Sequence, residues 1–215
     1  MSILNGRSAW WAGSAIALFV FIIITAGLLE GLVGAVDITV LQAIGKDRAP
    51  WLTEAALNIT ALGSNTLVIL LSAFTLLLLM IWRDRLAALQ LLAAVIGSDL
   101  LTQMTKDMIE RVRPPEAQRL ITVTGFSYPS GHSLSTAALY LTLAIIVTPH
   151  VKQSSIRTAI FSAASVLIVL VGASRIYLGV HYATDVASGF SLGTAWALAL
   201  AALFSEIARY KIKTA

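Results

Sequence analysis

The chain has 215 residues, of which 58% are apolar and only 12% charged, with a formal net charge of +4 and no cysteine. A soluble domain carries about 25% charged residues, so this composition and a mean hydropathy of +0.85 exclude an ordinary soluble fold. The missing cysteines exclude disulfides, thiolate catalysis and cysteine metal sites; the dispersed positive residues offer no basic face to nucleic acid.

A helix needs about 20 mostly apolar residues to cross a bilayer. The first such stretch runs from Ala9 to Leu29, between Arg7 and Glu30. The small residues Val33-Gly34-Ala35 that follow resemble a signal-peptide cleavage site. However, a signal core spans about 7–15 residues and this stretch is longer, so a retained span is expected. Residues 30–61, with Asp37, Pro50 and Trp51, are expected to form short interfacial helices, and they carry no motif that points to chemistry. The second span lies within Leu62–Trp82 and stops at Arg83. The third runs from Leu86 to Thr105 and contains Asp99, an acid whose cost inside a span predicts a partner or a functional place. It precedes Lys106 by two helical turns, so it is expected to support the underside of whatever Lys106 serves. Residues 106–133 are rich in Arg, Pro, Gly and Ser, and a loop this long is usually functional or disordered. Arg111, Arg119 and Glu110 within it read as solvated loop residues. The fourth, fifth and sixth spans cover Leu134–Val147, Thr158–Ser174 and Val186–Phe204. The expectation is an all-α, six-span membrane bundle, residues 1–215 forming one domain, with Gly97, Gly189 and Gly193 permitting close helix packing.

Positive residues concentrate on the cytoplasmic side of membrane proteins. With the N-terminus inside, Arg7, Arg83, Arg85, Lys152, Arg157, Arg209, Lys211 and Lys213 are cytoplasmic, and His150 joins them as a solvated residue. Lys46, Arg48, Lys106, Arg111, Arg113, Arg119 and Arg175 are outside, where several acids accompany them.

Three clusters then fall at the outer ends of the third to sixth spans. They are Lys106 with Arg113-Pro114, Pro129-Ser130-Gly131-His132, and Ser174-Arg175 with His181 and Asp185. Lys106, Arg113 and Arg175 supply fixed cations suited to phosphate, Arg through its planar fork and Lys as a point charge. Ser130 adds a hydroxyl. Gly131 lets a backbone N–H approach an anion closely at a helix start. His181 and Asp185 are four apart and share a face if helical, so the carboxylate can fix the imidazole tautomer for nucleophilic attack. His132 can protonate the leaving oxygen and later activate water. Side-chain cations stabilise the transferring phosphoryl group, so no metal or other cofactor is called for.

The pattern Lys-x6-Arg-Pro, Pro-Ser-Gly-His and Ser-Arg-x5-His-x3-Asp resembles that of the type 2 phosphatidic acid phosphatase superfamily, over residues 106–185. Bacterial members often have proline where this chain has Ala183. The resemblance implies a lipid phosphate or diphosphate substrate and a phosphohistidine on His181. Its remaining site residues carry over onto Lys106, Arg113, Ser130, Gly131, His132, Arg175 and Asp185. It also implies a bacterial cytoplasmic membrane enzyme with an outward site. Undecaprenyl-diphosphate phosphatase is the first reading, and phosphatidylglycerophosphate or phosphatidate phosphatase is close behind. A phosphotransferase would use the same residues. A non-enzymatic phospholipid binder or transporter would need neither histidine. A serine hydrolase fits poorly, because Gly-x-Ser-x-Gly is absent around Ser130. The oligomeric state is left open.

Overall fold

The computed structural model describes residues 7–214. The side chains of Arg7, Lys211 and Lys213, used in the charge argument, lie outside those described. The described residues form eight α-helices: α1 Arg7–Leu29, α2 Gly34–Lys46, α3 Pro50–Ala61, α4 Asn65–Ile81, α5 Arg85–Ile109, α6 Gly131–Val147, α7 Ser154–Tyr177 and α8 Ala183–Thr214.

Local chemistry explains the ends. Pro50 starts α3, where its missing N–H costs nothing. Ser64 and Asp84 cap α4 and α5 by accepting from the N–H groups of Leu67 and Ala87. The α5 helix stops at Glu110, which takes the left-handed conformation at φ 49°.

Five helices are long and apolar enough to cross a membrane alone: α1, α5, α6, α7 and α8. The second expected span, within Leu62–Trp82, is built differently. The α4 helix has 17 residues and rises about 26 Å, short of a hydrocarbon core of about 30 Å. It qualifies only together with α3, and the two are bent by 43° at Leu62-Gly63-Ser64. The interfacial segment expected over residues 30–61 is thus α2 plus the upper arm of this elbow.

Helices α6 and α8 form the centre, with α1 against α8 and α5 and α7 flanking α6. Glycine permits the central contact. A Cβ at Gly189 would lie 2.7 Å from the Ser130 carbonyl oxygen and 2.9 Å from Ser133 Cβ. Gly193 faces Leu134 and Ala137 of α6, and Gly97 of α5 lies against the Trp196 ring. Trp196 in turn donates to the Ala93 carbonyl at 3.1 Å. Along the α4–α5–α6 seam, Leu79, Ala87, Leu91, Leu139 and Ile146 are buried together. On α1, Ile16, Phe19, Ile22 and Ile23 point outward, as side chains that meet lipid do.

Candidate active site

The ends of α4, α5, α6 and α7 and the turn before α8 meet around one cleft of about 740 Å³. Lys106 enters from the last turn of α5, Gly131 and His132 from the first turn of α6, and Arg175 from the last turn of α7. Arg113 enters from the segment after α5, and His181 from the α7–α8 turn; all six line the cleft. Asp99, Thr102 and Gln103 continue the α5 wall, in keeping with the place expected for Asp99. Val68, Ile69, Val95 and Ile96 give the cleft an apolar side between α4 and α5. A polar pocket with an apolar flank suits a phosphate attached to a lipid.

His181 does not share a helix face with Asp185 as the spacing suggested. It precedes α8, in a turn entered through Gly179 at φ 72°, and Asp185 sits in the first turn of α8. Asp185 reaches back to accept from the Tyr182 N–H at 2.9 Å, which is half of a capping box. That reach brings Oδ2 to 3.4 Å from His181 Nδ1. Ser127 Oγ lies 3.4 Å from the same nitrogen and donates to Asp185 Oδ2 at 2.5 Å.

The other ring nitrogen, Nε2, is 3.1 Å from Arg113 Nη1. A guanidinium can only donate. Nε2 therefore accepts, and the ring proton is assigned to Nδ1, facing Asp185 and Ser127. His181 is only 2% exposed. Burial pushes its pKa down from 6.5 to about 4; Asp185 opposes this, while Arg113 and Arg175 reinforce it. The imidazole is neutral, and its Nε2 lone pair is held by Arg113 Nη1 at the cleft wall.

The three expected cations differ in how they are held. Arg113 is buried and braced, donating to the carbonyls of Gly125, Val180 and Thr124 at 2.9, 2.9 and 3.2 Å. Burial lowers its pKa, against the pull of Asp185. Arg175 is 4% exposed and donates through Nη1 to Thr60 Oγ1 at 2.8 Å. Its Nε is buried and has no acceptor among the described residues. The Lys106 ammonium likewise makes no hydrogen bond or ion pair among them. Arg175 and Lys106 both line the cleft, and their unfilled donor capacity suits an anionic guest.

Ser130 departs from its expected place. It is fully buried, outside the cleft wall, and its Oγ caps α6, accepting from Ser133 N at 3.4 Å and Ser133 Oγ at 2.9 Å. Gly131 is the first residue of α6, where N–H groups have no acceptor within the helix.

Two residues outside the expected site set, Arg111 and Asp37, are buried against it. Arg111, expected in a solvated loop, is mostly buried. It pairs with Asp185 at 2.5 Å and with Asp37 of α2 at 2.6 Å. Burial alone would lower its pKa, but the two carboxylates outweigh that and hold it above its ordinary value. Asp37, from a stretch without a motif, is 1% exposed. A sequence signal existed for it: an acid between Val36 and Ile38 at the start of an apolar helix. Thr60 and Gly63 of the α3–α4 elbow also serve the site, Thr60 through Arg175. A Cβ at Gly63 would lie 3.3 Å from the His132 ring. Among the described residues no group of three His, Cys, Asp or Glu could hold a metal ion.

A family model described as PAP2 superfamily matches residues 87–209. Phosphatidylglycerophosphatase B of Bacillus subtilis is 35% identical over 205 residues, covering 92% of this chain and 98% of the relative. The crystal structure of the first transmembrane PAP2 type phosphatidylglycerolphosphate phosphatase from Bacillus subtilis is similar at TM-score 0.84. It shares 33% identity, over 90% of this chain and 96% of that one. The undecaprenyl-diphosphatase of Sulfolobus acidocaldarius is more distant, 32% identical over 125 residues, 56% of each chain.

Proposed function

The chain belongs to the PAP2 superfamily and is a membrane lipid phosphatase, and from that premise we propose that it works through a phosphohistidine on His181. Nε2 attacks phosphorus, and the bond to the lipid oxygen breaks in line. His132 gives that oxygen a proton as it leaves. Water then attacks the phosphohistidine while His132 takes a proton back. Lys106, Arg175 and the Gly131 N–H stabilise charge on the equatorial oxygens. Arg113, whose Nη1 contacts Nε2 before substrate binds, turns the same donor to a phosphoryl oxygen and frees the lone pair. Ser130 supports the site by fixing the start of α6, and Asp185 holds the Nδ1 proton. The single observation that carries this reading is the pairing of His132 and His181 in one cleft with Lys106 and Arg175.

For the substrate, similarity along nearly the whole of the Bacillus relative favours a phosphomonoester on a glycerol headgroup, as in phosphatidylglycerophosphate. Undecaprenyl diphosphate, the first reading from sequence, is supported by a shorter match and stands second. Phosphate release should be measured in detergent from phosphatidylglycerophosphate, phosphatidate and undecaprenyl diphosphate, with His181→Ala as control. The expected result is fastest release from phosphatidylglycerophosphate and none from the variant. A faster rate on the diphosphate would reverse the order.

The charge distribution favours both termini inside and the cleft outside, and the Bacillus relative favours a bacterial cytoplasmic membrane. The chain has no cysteine, so a single Glu116→Cys in the exposed loop reports on sidedness. An impermeant thiol reagent should label it in intact cells; protection until lysis would invert the topology.

A further inference from the structure

We infer that Arg111 and Asp37 are positioning residues for the reaction, a buried strut that fixes the Asp185 carboxylate and through it the His181 ring. The inference rests on His181 being the nucleophile.

The strut joins three parts of the chain. Arg111 follows α5, Asp37 lies in α2, and both bind the start of α8. Arg111 donates through Nη1 to Asp185 Oδ1 at 2.5 Å and to Thr184 Oγ1 at 2.8 Å, and through Nη2 to Asp37 Oδ2 at 2.6 Å. Asp37 accepts from the Thr184 N–H at 3.0 Å and from its hydroxyl at 2.6 Å. Thus α2 caps α8 from outside. The guanidinium also lies 4.3 Å over the Tyr182 ring, the residue between His181 and α8.

These contacts divide the labour of the Asp185 carboxylate. Oδ1 is committed to Arg111. Oδ2 is left for the Tyr182 N–H, the Ser127 hydroxyl and the His181 ring. A carboxylate held at one oxygen cannot rotate its other oxygen away from the imidazole. With Oδ2 held at the Nδ1 side of the ring, the proton stays on His181 Nδ1 and Nε2 keeps its lone pair. Asp37 in turn holds Arg111, and one guanidinium between two buried carboxylates suppresses their repulsion. A buried charge that loses its partner is strongly unfavourable, which is why a planar fork sits here rather than a lysine.

A group that only stabilises the fold changes how many molecules are active. A group that positions the nucleophile changes how fast each active molecule is phosphorylated. Single-turnover phosphoenzyme formation, normalised to the sites that can be labelled, separates the two. Arg111→Lys keeps the charge but loses the fork. Asp37→Asn keeps the shape and the bond to the Thr184 N–H but loses the charge. The phosphorylation rate should fall about 10–100-fold in Arg111→Lys, the size of loss seen when a group that orients a metal-binding imidazole is removed, and less in Asp37→Asn. The double variant should fall less than the product of the two. Inhibition by inorganic phosphate should stay within about twofold of the parent, because neither residue lines the cleft.

Rates per labelled site within twofold of the parent in both variants would overturn the inference, as would a loss of phosphate affinity equal to the loss of rate. If Arg111→Lys fails to fold, the Asp37→Asn rate decides. The underlying reading fails separately: label and turnover persisting in His181→Ala would remove the nucleophile itself, whatever the strut does.

Discussion

The two halves of this bundle solve burial in opposite ways. Along the α4–α5–α6 seam, Leu79, Leu91, Leu139 and Ile146 bury apolar side chains against one another. Where α2, α7 and α8 meet the loop after α5, Asp37, Arg113, Ser127, Arg175, His181 and Asp185 are buried beside the apolar Leu178 and Val180. The seam needs only volume and shape. The polar end needs a partner for every charge, since an unpaired buried charge costs several kcal/mol. Its carboxylates are all paired, yet Arg175 Nε and the Lys106 ammonium are not. Lys106 and Arg175 both line the cleft, so donor capacity that no protein acceptor fills lies where an anion would bind.

The contrast can be broken most sharply at His132, which lines the cleft but makes no ring hydrogen bond among the described residues. His132→Asn should lower kcat by about 10²–10⁴, with thermal stability little changed in detergent. A comparable loss of stability would make His132 a packing residue. In the seam the signs reverse. Leu139→Ala should destabilise the protein by about 2–5 kcal/mol, measured by denaturant unfolding in mixed micelles, while kcat per folded molecule holds.

The halves also differ in response to acid. His181 has a folded pKa of about 4 against 6.5 ordinarily, so between these values the unfolded chain binds the extra proton. Stability from this group is complete above about pH 6.5 and is lost as pH falls toward 4. Unfolding midpoints should drop over that window, and His181→Phe should flatten the drop. The smallest effect concerns Thr142, whose buried hydroxyl has no partner among the described residues. Thr142→Val removes an orphan donor and should be neutral or stabilising by up to about 1 kcal/mol, with activity unchanged. A marked loss of activity there would show that the seam is not functionally silent.

Hydropathy made the long helices legible, because about 20 apolar residues leave a continuous signal. It did not reveal the break at Leu62-Gly63-Ser64, since an apolar run reads the same straight or bent. The motif residues were legible as chemistry, and Lys106, Arg113, Gly131, His132, Arg175 and His181 do share one cleft. The supports were not. Asp37 meets Thr184 across 147 positions, and Arg175 meets Thr60 across 115; such pairs leave no local spacing to read. Arg111 looked like one more loop cation, because only its distance to two acids sets it apart. Ser130 was placed with the phosphate ligands on residue type, although a serine directly before a helix is also its natural cap. His181 and Asp185 were paired correctly by the wrong device: the spacing suggested a helix face, and a capping turn brings them together.

A covalent phosphohistidine on His181 can be trapped directly. Enzyme mixed with lipid labelled in its terminal phosphate should be quenched in base, where phosphohistidine survives, and the label mapped by peptide. Label on the peptide carrying His181, absent in His181→Ala, is the predicted result. Turnover without any labelled histidine, or label on another residue, would contradict it.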